Sequence, residues 1–305
     1  MTFVLAARRS AVEALRPLVR EHERVRDVRI VEPGPVEELC EAAAGADGLL
    51  LVGDRRRAPR TVLPGPLLVE PSGRHVPVGW LPDLGAALGV FAKAAARVQR
   101  RAGPAGPLAV LGQRERRYLR LAGRLEAKLS QGEGPPLPLL VWTSERLTRA
   151  DLVDGLRLGL GAAVYFGHGR PSGWAGYHGL RAHHLVEAAG EPLGALLSVT
   201  CLTARRHRVS LSFSEQIVAG GATAAAVGAV DVVAHLDNMR WMLGLAEALR
   251  HGETRVGAAL VAAAPRAVSQ TPYRIVGDPL ALLVGTSDGA RRAARVFAPP
   301  AELAA

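Results

Sequence analysis

The chain has very little cysteine and no long uncharged apolar run. Its 305 residues include two cysteines, Cys40 and Cys201, which are too few for a disulfide framework. No uncharged apolar stretch approaches the roughly 18 residues that a membrane-spanning helix needs. The N-terminus places apolar side chains before charges, the reverse of a secretory signal. We therefore expect a cytoplasmic protein without a membrane partner, in which Cys201 is a free thiol and Cys40 a packing residue.

Aromatic residues are also scarce, at 4% of the chain, so platforms on which unpaired bases could stack are few. The net charge of +10 nevertheless suggests nucleic acid as a partner. The arginines are spread along the sequence, and the clusters at 55–57, 114–117 and 205–208 are typical of solvated loops and helix faces. This distribution argues against nucleic acid as the binding partner, and another acidic partner stays possible.

The order of apolar runs predicts an α/β protein. With 49% hydrophobic residues, the chain can bury one large core or two modest ones. Short apolar runs alternate with segments of helical spacing, which predicts a mostly parallel sheet flanked by helices. We predict an N-terminal α/β subdomain over 1–103, a second α/β subdomain over 104–290 and a C-terminal tail over 291–305, with the Pro- and Gly-rich stretch 102–107 at the boundary. The last predicted strand is Leu280–Val284.

Two apolar runs end at residues capable of proton or nucleophile chemistry. The run 161–166 leads to His168, and the run 196–200 leads to Cys201. These residues lie 33 positions apart, enough for one crossover between neighbouring parallel strands. Such a crossover places both strand ends on the same edge of the sheet, where open α/β sheets bind ligands.

The residue types at this edge suit acyl transfer. A Cys201 thiolate could attack a carbonyl, His168 could protonate the leaving amine, and the backbone amides of Gly169 and Cys201 could stabilise the oxyanion. Gly167 and Gly169 flank the histidine and allow the backbone to turn sharply. From the residues alone, a core cysteine and a chance Gly-His-Gly turn stay open as alternatives.

An ordered set of segments resembles the gingipain-type cysteine peptidases of the caspase-like clan. The set consists of Val164-Tyr165-Phe166-Gly167-His168-Gly169 with Trp174, Leu197-Ser198-Val199-Thr200-Cys201, Ser212-Phe213-Ser214-Glu215-Gln216, the run 220–228 and Gly277-Asp278-Pro279-Leu280. The runs 50–54 and 76–80 resemble the preceding subdomain of that family. The resemblance implies the caspase–haemoglobinase fold, a His168/Cys201 dyad and endopeptidase activity on proteins or peptides, with no cofactor.

The chain also differs from the secreted members of that family. Leu202 and Thr203 are bulkier than the small residues that usually follow the nucleophile, which alters the primed side of the cleft. The sequence shows neither a long propeptide nor a trailing β-sandwich domain. We therefore expect a compact, intracellular relative, and we leave open a protein partner that activates it.

The strand after the nucleophile predicts the substrate preference. In the caspase-like clan, the pocket for the residue before the scissile bond lies beside the catalytic strand. Asp231 ends the following predicted strand, where a carboxylate could receive Arg or Lys. A helix N-cap or an ordinary loop aspartate is the alternative. Glu145 could orient His168, although a solvated loop glutamate is the simpler interpretation. The residues expected at the mouth of the cleft are Trp174, Tyr177 and His178.

We expect neither a metal nor a nucleotide site. Adjacent His183 and His184 would project about 100 degrees apart on a helix, and no Cys or acidic residue has zinc-ligand spacing. The glycine-rich cradle of a phosphate site is also missing. Two other classes of function stay open, namely a non-catalytic caspase-like interaction module and a basic nucleic-acid-binding α/β protein.

Overall fold

The computed structural model describes residues 1–131, 137–264 and 272–296 of the chain. Its strands are β1 (Thr2–Ala6), β2 (Asp27–Val31), β3 (Gly48–Gly53), β4 (Leu67–Val69), β5 (His75–Pro82), β6 (Leu108–Gly112), β7 (Leu139–Thr143), β8 (Ala162–Phe166), β9 (Gly169–Arg170), β10 (Gly173–Trp174), β11 (Leu193–Val199), β12 (Thr223–Ala229) and β13 (Tyr273–Gly277). All but β9 and β10 belong to one eleven-stranded sheet with the order β2-β1-β3-β5-β13-β12-β11-β8-β6-β7, and β4 pairs with β5.

The sheet consists of two parallel blocks that meet at one antiparallel pair. The first block contains β1, β2, β3, β5 and β13, and the second contains β6, β7, β8, β11 and β12. β12 and β13 are the antiparallel neighbours at the junction of the two blocks, and β4 pairs antiparallel with β5 in the first block. The predicted mostly parallel sheet is thus confirmed, and the strands of the second block all end at the edge where β13 begins.

Helices cover both faces of this sheet. They are α1 (Arg9–Glu23), α2 (Val36–Ala42), α3 (Pro59–Val62), α4 (Leu88–Gln99), α5 (Arg116–Ser130), α6 (Arg149–Leu156), the one-turn α7 (Gly176–Gly179), α8 (Ala182–Val186), α9 (Phe213–Ala219), α10 (His235–Arg250), α11 (Val256–Ala263) and α12 (Ser287–Val296). α1, α4, α8 and α9 form one layer, and α5, α10 and α11 form the other. None of the helices in the described ranges is long and apolar enough to span a membrane.

The helices and strands that carry the site have the burial patterns expected from their sequences. In α5, Tyr118, Leu121, Leu125 and Leu129 are buried at spacings of three and four residues, so one stripe of the helix faces the sheet. Strands β8, β11 and β12 are buried along their whole length, as expected for parallel strands covered on both faces.

The strand predicted at Leu280–Val284 is wrong, because the strand is β13, which ends at Gly277. Both segments are apolar and buried, so periodicity alone could not distinguish them. Buried Asp278 turns the chain after β13: its carboxylate accepts hydrogen bonds from the Leu280 amide (2.9 Å) and Gln99 Nε2 (2.6 Å). Nε2 of His22 lies 3.3 Å from the same carboxylate.

β13 also pairs with β5, so hydrogen bonding continues from the predicted N-terminal subdomain into the predicted second one. The stretch 102–107 is a loop that leads into β6. Within the predicted tail, α12 extends to Val296, and residues 297–305 lie outside the described residues.

Candidate active site

The parallel pairing of β8 with β11 brings the histidine and the cysteine to one edge of the sheet. Phe166 stands opposite Val199, so His168 and Cys201 each follow the end of their strand by two residues. Thr200 Oγ1 donates a hydrogen bond of 2.6 Å to the Gly167 carbonyl and joins the two loops. The predicted convergence of the two strand ends is confirmed.

Gly169 is required at its position by close packing on the cysteine. A Cβ atom added there would lie 2.2 Å from the Cys201 carbonyl oxygen and 2.8 Å from a side-chain carbon of Thr200. Backbone atoms cannot give way by such a distance without moving the loop that holds the thiol. The glycine after the histidine is therefore a steric requirement of this strand pair.

The thiol of Cys201 is partly exposed and is held by backbone. The Val233 amide donates to Sγ at 3.3 Å and fixes the position of the sulfur. Within the described ranges, the amide of Cys201 itself has no hydrogen-bond acceptor. Leu202, the next residue, adopts φ +66°, an unusual conformation for a branched side chain, and its amide bonds to the Asp231 carbonyl at 3.3 Å. The Cys201 amide is thus without an acceptor among the described residues.

The ring of His168 is held by three residues at the start of α5. Glu115 Oε1 lies 3.1 Å from Nε2, and Arg117 Nη2 lies 2.7 Å from the same nitrogen. The Tyr118 hydroxyl lies 3.3 Å from Nδ1. Nε2 cannot serve both charged groups at once: with a proton it donates to Glu115, and without one it accepts from Arg117. The presence or absence of a proton on Nε2 therefore decides which side chain this nitrogen binds.

Tyr118 and a glutamine fix the histidine from two further sides. Burial raises the pKa of Tyr118, so its hydroxyl stays protonated beside the ring. Gln113 Oε1 accepts the His168 backbone amide at 2.8 Å, and the Tyr165 hydroxyl donates to the His168 carbonyl at 3.3 Å. In the described part of the chain, no hydrogen bond joins the imidazole to Sγ of Cys201. The ring faces α5 instead of the thiol.

Asp231 lies beside Cys201, as expected, but already has basic partners. Its carboxylate is 42% exposed and pairs with Arg60 Nη1 at 3.1 Å and Arg205 Nη1 at 3.6 Å. It is not a helix cap, because α10 begins at His235 with Ala234 at the N-cap. The N-cap alternative for Asp231 is therefore wrong.

The expectation that Trp174 contacts substrate is wrong. Trp174 has no exposed surface, its Nε1 donates to Ser198 Oγ at 2.9 Å, and its ring stacks on Tyr165 with centroids 4.0 Å apart. Tyr177 is also buried, and only His178 of the three expected mouth residues is exposed. Trp174 is close in sequence to His168, but it is a residue of the core.

Glu115 is the site residue that the sequence analysis missed. The cluster 114–117 was interpreted as solvated surface, and Glu145 was considered as the partner of the histidine. Glu145 is exposed in the loop after β7, whereas Glu115 contacts the ring. The available signal was the position of Glu115 directly after β6, the neighbour of β8 in the sheet.

A buried polar network supports the loop after the nucleophile. Glu215 has no exposed surface and accepts from Arg206 Nε (2.7 Å), Arg206 Nη2 (2.6 Å), Trp80 Nε1 (2.9 Å) and the Ser212 amide (2.8 Å). Arg206 also donates to the carbonyl of Arg55. Because Trp80 and Arg55 belong to the N-terminal part, this network connects that part to the Cys201 loop.

His183 and His184 pack against each other with ring centroids 4.1 Å apart. Across 1–131, 137–264 and 272–296, no three His, Cys, Asp or Glu side chains are grouped so that they could hold a metal ion.

Comparison with known proteins assigns the site to a family. The family model "Peptidase family C25" matches residues 138–287, which include both His168 and Cys201. Residues 138–287 of the chain are therefore similar to peptidase family C25. The chain is accordingly a cysteine peptidase, and its predicted gingipain-type resemblance is confirmed. A search of curated proteins gave no match.

Solved structures share the fold of this chain at low sequence identity. The crystal structure of the Arg specific cysteine proteinase gingipain R is 13% identical, with a TM-score of 0.71 over 92% of this chain and 77% of that one. The complex of Porphyromonas gingivalis RgpB pro- and mature domains is 14% identical, with a TM-score of 0.70 over 92% and 79%. The Saccharomyces cerevisiae separase–securin complex has a TM-score of 0.54 at 13% identity, over 79% of this chain and 17% of that one.

Proposed function

We propose that this cysteine peptidase cleaves internal peptide bonds through Cys201 and His168. The observation that supports the proposal is the register of β8 and β11, which brings a partly exposed thiol and a half-exposed imidazole to one sheet edge. The Val233 amide, 3.3 Å from Sγ, holds the sulfur at this edge.

The reaction has two steps. The Cys201 thiolate adds to the scissile carbonyl carbon, and the free Cys201 amide, together with that of Gly169, stabilises the oxyanion. The C–N bond then breaks, the imidazolium of His168 gives its proton to the leaving amine, and a thioester remains. The imidazole next removes a proton from water, which attacks the thioester, and the carboxylate product leaves as the thiol is restored.

Glu115 suits the imidazolium form of this cycle. When Nε2 carries a proton and donates to Glu115, Nδ1 is the nitrogen left to exchange a proton with the thiol and the leaving amine. The ring must then turn from Tyr118 toward Sγ when substrate binds. Catalytic hydrogen bonds are often long in the free enzyme and shorten in the complex with substrate.

We further propose that the enzyme prefers Arg or Lys before the scissile bond, with Asp231 as the receiving carboxylate. Asp231 is half-exposed and lies next to the nucleophile through the Leu202 amide. It already binds two guanidinium groups, those of Arg60 and Arg205, so its surroundings accommodate the geometry of an arginine side chain. A substrate side chain would replace one of them. The gingipain R that shares the fold is described as Arg specific.

Peptide cleavage tests both parts of the proposal. Internally quenched peptides that differ only in Arg, Lys, citrulline or Leu before one bond are incubated with wild type, Cys201→Ala, His168→Ala and Asp231→Asn, with Cys40→Ala as the matched control. We expect no cleavage by the first two variants and normal cleavage by Cys40→Ala. Asp231→Asn should lose the preference for Arg over citrulline. Undiminished preference in Asp231→Asn would reject the pocket, and cleavage by Cys201→Ala would reject the nucleophile.

One observation favours the interaction module as a second candidate. The imidazole is bound to α5 and makes no hydrogen bond to the thiol within the part of the chain described, and Asp231 is already neutralised. A folded protein whose Cys201 reacts with thiol reagents no faster than a free thiol would support that candidate. Cytoplasmic localisation also stays a prediction.

A further inference from the structure

Two loops beside the nucleophile form a surface with a large excess of positive charge. Residues 54–60 and 202–208 contain seven arginines, one histidine and a single carboxylate, Asp54. We use the name arginine patch for the six of these arginines that reach solvent: Arg55, Arg56, Arg57, Arg60, Arg205 and Arg208. The seventh, Arg206, is neutralised by buried Glu215.

Specific contacts hold the two loops together. Arg206 donates to the Arg55 carbonyl, and Arg60 and Arg205 approach Asp231 from opposite loops. The backbone carbonyl of Asp231 accepts a hydrogen bond from the amide of Leu202, which directly follows Cys201. The arginine patch therefore begins next to Cys201. These contacts fix the arginine patch in place, and the patch extends from the candidate site across the N-terminal part.

Four guanidinium groups of the patch have no acidic partner. Among the described residues, Arg55, Arg56, Arg57 and Arg208 form no ion pair, while Arg60 and Arg205 share the single carboxylate of Asp231. Six guanidinium groups thus face two carboxylates, counting Asp54. The patch is arginine throughout and contains no lysine, and the planar guanidinium binds carboxylates through two parallel hydrogen bonds.

We propose that the arginine patch binds acidic residues of the protein substrate, several positions away from the scissile bond. This inference rests on the proposed function, because it assigns a substrate class to the same site. A peptide fits better than nucleic acid, since the patch adjoins a peptidase nucleophile and none of its residues is aromatic. Exposed pairs contribute little singly, so the effect comes from several arginines together.

Paired substrates test this inference. Two peptides share the same residues around the scissile bond, and one carries three Glu where the other carries three Gln. One set of peptides has these three residues before the scissile bond, and a second set has them after it. We expect kcat/KM for the Glu peptide to exceed that for the Gln peptide about 5- to 30-fold at low salt, with the ratio falling as salt screens the charges. Arg55→Gln/Arg56→Gln/Arg57→Gln should bring the ratio near one.

The matched control removes three exposed arginines from the C-terminal half and C-cap of α1, which return to the sheet edge opposite the loop after β3, as Arg16→Gln/Arg20→Gln/Arg24→Gln. This control has the same net charge as the patch variant and should keep the wild-type ratio. Equal cleavage of both peptides by an active enzyme would overturn the inference while the proposed function stands. A ratio lowered equally by both triple variants would show a general charge effect and would also overturn it.

If no peptide is cleaved, that result counts against the proposed function, and a binding assay then tests the arginine patch on its own. Cys201→Ala is titrated with a fluorescent Glu-rich peptide, its Gln counterpart and a duplex DNA of equal charge. Preferential binding of the Glu peptide, lost in the patch variant, supports the inference. Absence of binding, or duplex DNA bound more tightly through the same arginines, contradicts it.

Discussion

The buried ion pair between Arg206 and Glu215 gives the most quantitative prediction about the nucleophile loop. Glu215 has no exposed surface and Arg206 keeps 8% of its side chain exposed, so each would be left as a buried charge if the other were removed. Breaking such a pair costs about 3–5 kcal/mol. We expect Glu215→Ala to lower the free energy of unfolding by about this amount, near 4 kcal/mol, because Trp80 Nε1 also loses its acceptor.

A double-mutant cycle separates the pair from the rest of the network. Arg206→Met and Glu215→Leu are made singly and together in a Cys201→Ala background, which prevents self-cleavage, and unfolding in urea is followed by tryptophan fluorescence. The losses of unfolding free energy in the two single variants should add up to about 1–3 kcal/mol more than the loss in the double variant. Losses that add to within about 0.5 kcal/mol, or a single loss below about 1 kcal/mol, would refute the assigned coupling.

Further changes probe the site and the shared sheet. Gly169→Ala should abolish peptide cleavage and cost about 1–3 kcal/mol in urea unfolding, because its Cβ would clash with the Cys201 carbonyl; normal activity would contradict this packing. Glu115→Gln should lower kcat about tenfold at nearly constant KM, by misorienting the imidazolium; an unchanged kcat excludes that role. Burial opposes ionisation of Asp278, but His22 and hydrogen bonds outweigh it and lower its pKa. The carboxylate therefore adds stability above its unfolded pKa, and this is lost as pH falls through its lower folded pKa. The difference in urea midpoint between wild type and Asp278→Asn should shrink below about pH 4; a constant difference from pH 7 to 3 would contradict this.

The strands that position the nucleophile could be predicted from the sequence for a clear physical reason. A parallel strand covered on both faces is a short uncharged run, and such runs are easily recognised. A connection of 33 residues is enough for one crossover between neighbouring parallel strands, and this connectivity predicted that His168 and Cys201 converge. Asp231 was placed at the same edge by the same argument.

Residues whose role depends on packing between distant segments could not be predicted in this way. Glu115 lies in a run of charges typical of solvated surface, and only the pairing of β6 with β8 brings it to the histidine. Trp174 follows the histidine closely, but whether it faces substrate or core depends on the β9–β10 ribbon, which has two residues in each strand. β13 was misplaced because two adjacent buried apolar runs compete for one place in the sheet.

The central claim is that Cys201, beside His168, is the nucleophile of this cysteine peptidase. The most direct test is intact-mass analysis after brief exposure to a peptidyl acyloxymethyl ketone of broad side-chain preference, applied to wild type, Cys201→Ala, His168→Ala and Cys40→Ala. We predict one adduct in wild type and in Cys40→Ala, none in Cys201→Ala and a strongly slowed reaction in His168→Ala. An adduct on Cys40, no adduct on folded wild type, or a wild-type rate in His168→Ala would contradict the claim.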